Sequence, residues 1–511
     1  MSEIREQVDD AVTVEAGTDL AEAGQVLRNP KFLSLYGSQI LSQVGGNMVL
    51  FGLTVQVFSI TQSSTSVSIL LLTFLVPAVV FGAIAGVFVD RFDRRWILIS
   101  TNFARGALFM VLAFFPDQLV AIYIVTAIVA TLTTFFAPAE AAMIPLVVKR
   151  PQLMTANGLF ILALQASFVV GFAVLGPLAQ NVLGTQALIA IVAVAYVVAA
   201  LMCWPLPPAP PTQEGGGTIA DARGAVGATY EQLKEGLHFI RDHHNIFWSL
   251  TYLAVTASLI GVIGVLGPDY AVSILGLEES DFVVVVLPLG IGLVTGIIIL
   301  NFFGKFLPRR RLIEGGMVAL AGALVILGLA ENVAILAEGE GVVSLLTVVM
   351  VVAFFAGVFY AFVAVPAQTS LQEELPSDVR GRVFGVLNML VSLASFVPII
   401  IVGPLADILP RGTSVVIVVS ALLVGAVGVL SFFMAHPAVT GSAQPVNIEP
   451  VDPMTVTTAS STLNRPVRLR YVADEDAGDS PIRLTASPVV PGKAGPARDA
   501  NSTTDPPADD G

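Results

Sequence analysis

Charged residues are scarce in this sequence, since Asp, Glu, Lys and Arg make up only 12% of the 511 residues. A soluble chain carries about 25%. None of these four residue types occurs between Lys31 and Asp90. Uncharged runs of about 20 residues, long enough to cross a lipid bilayer as a helix, recur along the chain. This composition excludes an ordinary soluble enzyme and predicts a protein that crosses a membrane many times.

Residue types that support enzyme and metal chemistry are equally rare. The single cysteine, Cys203, excludes an intramolecular disulfide and a cysteine-based metal site. None of the four histidines (His238, His243, His244 and His436) lies in the middle of an apolar run, and no His-Glu-x-x-His pattern is present. The phosphate loop Gly-x-x-x-x-Gly-Lys-Ser/Thr is also missing, which argues against ATP hydrolysis. We therefore expect no enzyme activity, no metal and no cofactor.

Composition divides the chain into five segments. Residues 1–30 lack the basic start and apolar core of a signal peptide, so we expect a polar cytoplasmic arm. Residues 31–206 and 246–436 each hold six apolar runs. Residues 207–245 begin as a Pro- and Gly-rich linker and continue either as an amphipathic surface helix or as an extension of the next spanning helix. Residues 437–511 are rich in Pro, Ala, Asp, Ser and Thr, which predicts a disordered cytoplasmic tail.

The fold class that these runs predict is an all-α membrane protein with twelve transmembrane helices. Two motifs repeat at nearly equal separation: Pro138-Ala139-Glu140 matches Pro366-Ala367-Gln368, and Gly176-Pro177-Leu178-Ala179 matches Gly403-Pro404-Leu405-Ala406. Predicted helices 4 and 5 therefore correspond to helices 10 and 11, which makes the two six-helix halves parallel repeats. Such repeats place a substrate site between the halves, near the middle of the membrane.

Orientation follows from the basic residues in short loops, because these stay on the cytoplasmic side. With twelve helices, nearly all of them fall on one side: Arg91, Arg94, Arg95, Lys149, Arg150, Lys305, Arg309, Arg310, Arg311, Arg380 and Arg382. The loops of the other side carry acidic residues and one arginine, Arg411. We expect a multi-pass protein of the cell (cytoplasmic or inner) membrane with both ends in the cytoplasm. The net charge of −13 comes largely from the polar ends and gives no reason to expect nucleic acid.

A dense patch of charge interrupts the most apolar part of the chain at Gly86-Val87-Phe88-Val89-Asp90-Arg91-Phe92-Asp93-Arg94-Arg95. Its spacing between two spanning segments resembles the signature loop of the major facilitator superfamily of secondary transporters. The resemblance extends over about residues 28–436. It implies that a gating loop holds the cytoplasmic ends of the two halves together in one state, with Asp90 pairing with an arginine or with the start of helix 11. The residues of this loop would be Gly86, Asp90, Arg91, Arg94 and Arg95. A loop that only anchors the topology is the alternative.

Within the superfamily, the chain is most similar to the branch that includes enterobactin-type siderophore exporters and macrolide efflux proteins. The residues that carry this resemblance are Leu27-Arg28-Asn29-Pro30-Lys31-Phe32, Arg105, Pro138-Ala139, Ala156-Asn157-Gly158 and Arg380-Gly381-Arg382-Val383-Phe384-Gly385. Asp93 stands where the wider superfamily usually has Gly, a departure that this branch shares. The Arg-containing helix 4 motif of many drug/proton antiporters is absent, and Asn47 stands where such exporters often carry an acid. The resemblance therefore assigns no proton-coupling residue.

Two charged residues, Arg105 and Glu140, lie inside predicted helices 3 and 4. Each is nine residues from the cytoplasmic end of its helix, counted from Trp96 and Lys149, which puts both about 13 Å deep. A charge at that depth costs at least about 2.5 kcal/mol unless it is paired or hydrated. We predict that the two residues pair in at least one state and that Glu140 is a proton carrier. A static pair, or an arginine that snorkels to the surface, is the alternative.

Polar side chains recur at helical spacing in several predicted helices, and it would be costly for them to face lipid. They predict a mostly apolar, weakly polar substrate cavity lined by Tyr36, Gln39, Gln43, Asn47, Gln165, Tyr252, Thr256 and Asn388. Hydrogen bonding between helices without a ligand is the alternative. Asp269 and Asp407, near the outer ends of helices 7 and 11, are either outer-gate residues or solvated helix ends.

These features together predict a secondary active transporter that exports an amphiphilic small molecule by alternating access. The substrate would be a drug, a macrolide or a siderophore-like compound, and protons would drive the export. We expect a monomer embedded in the lipid bilayer. Three alternatives stay open: a lipid or lysophospholipid transporter, an importer, and a non-transporting membrane receptor or scaffold. A cavity with a lateral opening would favour lipid, and a blocked cavity would favour a scaffold.

Overall fold

The computed structural model describes residues 24–211, 234, 244–304, 308–330, 342–374 and 380–434, together with 457–458, 467–471 and 484–488. Within these ranges some side chains are not described, among them that of Gln165 and those of residues 380–390, which include Asn388. The α-helices are labelled in chain order: α1 Pro30–Thr61, α2 Ser64–Val89, α3 Arg94–Ala113, α4 Leu119–Val147, α5 Leu153–Phe168, α6 Gly176–Met202, α7 His244–Ser273, α8 Val283–Phe303, α9 Arg309–Gly328, α10 Val342–Glu374, α11 Arg380–Ile408 and α12 Gly412–Met434. A π-helix over Val169–Leu175 joins α5 to α6, and 3₁₀-helices cover Arg150–Gln152 and Glu279–Phe282.

Polar side chains define where the first three helices begin. The Asn29 side chain accepts hydrogen bonds from two backbone N–H groups in the first turn of α1, at 3.0 and 3.4 Å. Pro30 occupies the first helical position, where its missing N–H leaves no bond unmade. Ser63 caps α2 and Asp93 caps α3 in the same way. The apolar runs thus set the lengths of these helices, and the caps set their first residues.

Ten helical segments of the described residues are long and apolar enough to cross a membrane, so the protein is a multi-pass membrane protein. One of these segments, Arg150–Met202, contains 53 residues. A straight helix of that length would measure about 80 Å, more than twice the bilayer core of about 30 Å. Its backbone leaves helical geometry at Gly184, with φ 79° and ψ 169°, a conformation that favours glycine. The all-α membrane fold is confirmed, and the total of twelve crossings stays a prediction.

Helices α8 and α10 approach each other closely because glycines lie at their contact. A Cβ atom on Gly292 would lie 1.9 Å from the carbonyl oxygen of Phe354, and one on Gly357 would lie 2.0 Å from that of Leu289. A side chain at either glycine would force the two helices apart. Small residues are a common means of helix packing in membranes, where burial from water does not drive association.

Buried apolar residues form a core in each half and a further cluster between the halves. One core lies among α1 to α6 around Phe109 and Leu188, and another lies among α7 to α12 around Met317. Between the halves, Phe51 of α1 packs on Phe282 at the start of α8. The contacts within each half therefore fix two helical bodies, and the cluster at Phe51 connects them.

Some predicted segment boundaries fall on residues outside the structural description. The description leaves out most of residues 1–30 and 207–245, so the N-terminal arm and the amphipathic helix stay predictions. The boundaries of 31–206 and 246–436 also stay predictions.

A small β-sheet occurs in the segment 437–511, where the sequence analysis predicts disorder. Strands β1 Thr457–Thr458, β2 Val467–Tyr471 and β3 Leu484–Pro488 pair antiparallel in that order. In β2 the apolar residues alternate with Arg468 and Arg470, a period of two that is typical of a strand. A prediction based on composition overlooks this alternation. The rest of 437–511 lies outside the described residues, and its disorder stays a prediction.

Candidate functional site

A cavity of about 420 Å³ lies between the two halves of the helical bundle. This volume is within the usual range for small-molecule sites, about 300–1,000 Å³. The N-terminal half contributes residues such as Leu50, Leu71 and Phe172, and the C-terminal half contributes Ile263 and Ile399. Residues of both halves therefore line the same cavity, as the predicted repeat requires.

The wall of this main cavity contains no Asp, Glu, Lys, Arg or His among the described residues. Its hydroxyl groups belong to Thr54, Tyr360 and Ser395. The Thr54 hydroxyl donates to the backbone oxygen of Leu50 at 2.8 Å, and the Ser395 hydroxyl donates to that of Val391 at 2.9 Å. Because these donors are already used within their own helices, the cavity holds a ligand mainly by shape and apolar contact.

The polar residues that the sequence analysis assigns to a substrate cavity occupy other positions. None of the six whose side chains are described (Tyr36, Gln39, Gln43, Asn47, Tyr252 and Thr256) belongs to the wall of the main cavity. Most make local or interhelical contacts instead. Asn47 donates to the Gln43 backbone oxygen at 2.9 Å, Tyr252 hydrogen-bonds to Ser431, and Thr256 donates to the Tyr252 backbone oxygen at 2.9 Å. The side chains of Gln165 and Asn388 lie outside the described part, and a role for these eight residues in substrate binding stays a prediction.

Arg105 is buried and fully engaged by groups other than Glu140. Its guanidinium donates to Asn102 Oδ1 at 2.6 Å and to the Thr133 hydroxyl at 3.3 Å. It also lies over the rings of Phe136 and Tyr196, at 4.4 and 4.9 Å from their centroids, a cation–π arrangement. No ion pair within 4.0 Å joins Arg105 to Glu140, although both residues are described. Their pairing in another state stays a prediction.

Glu140 contacts Gln39 of α1 instead. With its amide nitrogen facing α4, Gln39 donates to Oε1 of Glu140 at 2.7 Å and to Oε2 at 2.8 Å. The nitrogen and oxygen of an amide have the same shape, so their placement follows from the hydrogen-bonding partners. With the amide reversed, a protonated Glu140 would donate to the Gln39 oxygen. Gln39 can therefore accommodate both protonation states of this carboxyl group without moving its backbone.

A polar network continues from Arg105 to the end of α6. Asn102 donates to the Ser38 hydroxyl at 3.3 Å, and the Cys203 thiol donates to the same hydroxyl at 3.1 Å. Burial raises the pKa of the Cys203 thiol to about 11, because a thiolate is poorly solvated there. The lone cysteine is therefore a structural neighbour of the Arg105 site.

The predicted gating loop contacts its own half of the protein. Asp90 pairs with Arg94 at 3.5 Å in an exposed position, where such a pair contributes little stability. The Asp93 carboxylate accepts from the Ala209 N–H at 3.2 Å, and the Arg95 guanidinium lies 5.9 Å from the Trp204 ring centroid. The loop is thus fastened to the segment after α6.

Gly86, the glycine of the predicted gating loop, lies near the end of α2. Among the described residues, a Cβ atom built on Gly86 would meet nothing within 4 Å. The side chains at the start of α11 lie outside the described part, and the latch between Asp90 and that helix stays a prediction. We call this end of the bundle the Asp90 end.

At the opposite end, Asp407 of α11 connects the two halves. Its carboxylate accepts from the Ser63 and Thr65 hydroxyls, each at 2.6 Å, and from the backbone N–H groups of Ser64 and Thr65 at 2.9 and 3.0 Å. An acid from one half thus caps the first turn of α2 in the other half, where the helix dipole favours negative charge. Of the two interpretations of Asp407, the gate residue fits these contacts.

Further contacts close this Asp407 end of the bundle. Gln62 donates to Glu279 at 3.0 Å across the halves. The rings of Phe51 and Phe282 stack with their centroids 4.8 Å apart. Asp269, by contrast, hydrogen-bonds to Thr413 within the C-terminal half. These contacts join the two halves across the Asp407 end in this conformation, and we call this arrangement the sealed state.

Sequence reasoning also missed a second buried acid, Glu314 of α9. Arg310 pairs with it at 2.8 Å, and the Ser431 hydroxyl donates to it at 3.2 Å. Tyr252 hydrogen-bonds to the same Ser431. An Arg and a Glu four residues apart on one predicted helix were a usable signal, because such a spacing puts them on the same face.

Two helical bodies around an apolar cavity, joined at one end, define the class of membrane carriers for small molecules. The sequence profile of the Major Facilitator Superfamily matches residues 35–399, more than half of the chain. The chain belongs to this superfamily, and it is a membrane transporter rather than an enzyme.

Individual relatives agree with this placement. The uncharacterized MFS-type transporter YfiS of Bacillus subtilis is 24% identical over 414 residues, which cover 80% of this chain and 94% of that protein. Macrolide efflux protein A of Streptococcus pyogenes is 24% identical over 74% of this chain and 89% of its own length. The protein of the same name from Enterococcus faecalis is 26% identical over 65% of this chain and 98% of its own length.

Solved structures share the fold at lower identity. The nucleoside transporter NupG aligns with a TM-score of 0.60 at 11% identity, over 78% of this chain and 98% of NupG. A bacterial homologue of the human lysosomal transporter Spinster, in an inward-facing and unoccupied conformation, aligns with a TM-score of 0.60 at 12% identity, over 79% of this chain and 97% of that one. The superfamily fold predicted from the charged loop and the internal repeat is thereby confirmed.

Proposed function

We propose that the protein exports amphiphilic, largely uncharged small molecules from the cell by alternating access, driven by protons. The observation that carries the proposal is the main cavity of about 420 Å³, which both halves line almost entirely with apolar side chains. Because no charged side chain of the described part faces it, the cavity selects for apolar surface and not for a charge of either sign.

The direction of transport rests on orientation and on relatives. The basic loops predict that the Asp90 end faces the cytoplasm in the cell membrane. The conformation sealed at the Asp407 end would then receive substrate from the cytoplasm. Macrolide efflux protein A, the relative with a named activity, moves its substrate outward by that name. These points together favour export over import.

Proton coupling rests on Glu140. The group is 6% exposed, no described basic group lies within 4.0 Å of its carboxylate, and its amide partner Gln39 can serve both of its protonation states. Burial of an unpaired carboxylate is expensive, so Glu140 is the described carboxyl group best placed to exchange a proton during transport. Asp90, Arg91, Arg94 and Arg95, with Gly86 beside them, would close the Asp90 end in the opposite state.

The experiment reconstitutes the purified protein in liposomes and imposes a pH gradient. Accumulation of a neutral apolar dye is followed by fluorescence. Gly290 lines the main cavity, and a Cβ atom added there meets nothing within 4 Å. Gly290→Trp should therefore fill the cavity and abolish accumulation, whereas the matched control Gly290→Ala should leave it intact. Equal transport by both variants, or accumulation that ignores the gradient, contradicts the proposal.

A second candidate is a lipid or lysophospholipid transporter. The specific observation in its favour is the same apolar wall, which suits acyl chains as well as drugs. Dithionite quenching of a fluorescent lysophospholipid in the same liposomes tests it. Faster exposure of the label with wild-type protein than with Gly290→Trp would favour lipid as the substrate. An unchanged rate would leave a soluble amphiphile as the proposed substrate.

A further inference from the structure

A second, smaller cavity lies inside the C-terminal half, beside the main one. Its volume is about 50 Å³. The two cavities have wall residues in common, among them Leu259, Ile263, Val286, Leu289 and Leu324. The smaller cavity therefore adjoins the main cavity across this shared wall, and we call it the side pocket; it extends between α7, α8, α9 and α12.

The side pocket offers a ligand no hydrogen bond. Its exposed surface is entirely apolar. Tyr270 forms part of the wall, but its hydroxyl donates to the Leu327 backbone oxygen at 2.9 Å. Only apolar groups gain binding free energy by entering this pocket, because a polar group would lose its hydrogen bonds to water without a replacement.

The size of the side pocket restricts the shape of what enters. A water-sized group occupies about 10–15 Å³ by the same measure, so the pocket has room for about three or four carbon atoms in a row. A ring system needs more, since a cavity of about 150 Å³ is the kind that binds benzene. A narrow hydrocarbon arm fits this pocket, and a bulky polycyclic group does not.

One wall of the side pocket also belongs to the closed end of the bundle. Phe282 lines the pocket, and its ring stacks on Phe51 of the other half at 4.8 Å. Gly267 lies directly beneath that ring, where a Cβ atom would come within 2.6 Å of Phe282. An arm in the pocket would therefore touch the ring that joins the two halves.

We propose that this side pocket is a subsite for an unbranched apolar arm of the transported molecule, so that the carrier selects amphiphiles by chain length. The proposal rests on the proposed function, since it assigns the rest of the molecule to the main cavity. Each methylene buried in the pocket should tighten binding about fourfold. The gain should stop once the pocket is full.

The test measures binding of n-alkyl glucosides, from hexyl to dodecyl, to the full chain in lipid nanodiscs. Each value is compared with empty nanodiscs, which removes partition into lipid. Ser420 lines only the side pocket, so Ser420→Leu should fill it. Val285→Leu narrows it independently, and Ser420→Ala leaves it open as the matched control. We expect Ser420→Leu to weaken binding of the longest glucosides about 60-fold, since about three methylenes lose their site at about fourfold each. Val285→Leu should weaken it less, and both variants should spare the shortest glucosides.

The outcomes separate this subsite from the proposed function. If both filling variants show the wild-type dependence on chain length while Gly290→Trp weakens every glucoside, the subsite is wrong and the main cavity stands. If binding never exceeds that of empty nanodiscs, both proposals fail for this class of ligand. A loss for long chains with Ser420→Leu but not with Ser420→Ala establishes the subsite.

Discussion

Among the residues that the structure describes, each half of this transporter has one buried glutamate at a helix contact, but the two glutamates have different partners. In the C-terminal half, Glu314 pairs with Arg310 at 2.8 Å. In the N-terminal half, Glu140 contacts the amide of Gln39, while the nearby Arg105 bonds to Asn102 and Thr133. Both glutamates are 6% exposed, so burial does not distinguish them.

The difference teaches which of the two acids can change its charge. A carboxylate held by an arginine loses that attraction when it is protonated. An amide partner can reverse and accept a hydrogen bond instead, so protonation of Glu140 costs no partner. The C-terminal pair is therefore suited to hold helices together, and the N-terminal pair is suited to exchange a proton.

The largest expected effect is on transport by Glu140→Gln. This variant removes the exchangeable proton and keeps the shape, so gradient-driven accumulation in liposomes should fall at least about tenfold. Glu314→Gln serves as the matched control and should retain coupling per folded molecule. Full coupling in Glu140→Gln, or its loss in Glu314→Gln alone, would reverse the assignment of roles.

The next effect is on stability. Arg310→Ala leaves the Glu314 carboxylate buried without its partner and should lower the free energy of unfolding by about 2 kcal/mol. The double variant Arg310→Leu with Glu314→Leu should recover much of this loss, because no buried charge remains. Unfolding in denaturant, followed by tryptophan fluorescence, measures both. Equal losses for the single and double variants would show that the unpaired Glu314 carboxylate is not the cause of the loss.

A smaller effect concerns the Asp407 end. Asp407→Asn removes the charge that caps α2 and should weaken the closed end by about 1 kcal/mol, which shifts the populations about fivefold. Spin labels at Ile60 and Ile408, in a Cys203→Ser background, report the distance between the halves. The control Asp269→Asn, whose Thr413 partner lies in the same half, should leave that distance distribution unchanged. A matching shift in both variants would remove Asp407 from the gate.

The smallest expected effect is on the rate at which Cys203 is alkylated, since this residue belongs to the polar network that continues from Arg105. Cys203 is buried with a pKa of about 11, so its thiol is protonated at neutral pH and should react slowly with N-ethylmaleimide. At pH values below this pKa, the fraction of Cys203 in the reactive thiolate form rises about tenfold for each unit of pH increase. Alkylation, measured by mass spectrometry, should therefore accelerate from pH about 7 to about 9. Rapid alkylation at neutral pH would show that the network around Ser38 opens readily.

The apolar runs and the charged loop were sufficient to predict the membrane fold and the superfamily. They were not sufficient to identify the neighbours that Arg105 has in this conformation. Equal depth on adjacent helices gives one coordinate, whereas a contact also depends on the rotation of each helix about its axis. That rotation is set by packing, and it turns Glu140 toward Gln39 of α1.

Other parts of the site depend on tertiary structure in the same way. The cap that Asp407 places on α2 joins residues of different halves, and no local pattern in the sequence predicts the match. The main cavity is lined by leucine, isoleucine and valine, which sequence reasoning assigns to the core or to lipid. Polar stripes drew attention to Tyr252, whose hydroxyl bonds to Ser431 of α12, and to Thr256, whose hydroxyl bonds to the backbone of its own helix.

The contacts at Asp407 also carry a consequence for measurements made from the two sides of the membrane. If they stabilise the sealed state by about 1.4 kcal/mol, only about a tenth of empty carriers are open at that end. A ligand of equal intrinsic affinity for both states would then show an apparent affinity about tenfold weaker when it is added from the Asp407 side. Empty carriers would therefore bind the substrate more tightly from the Asp90 side than from the Asp407 side, before any proton gradient is applied.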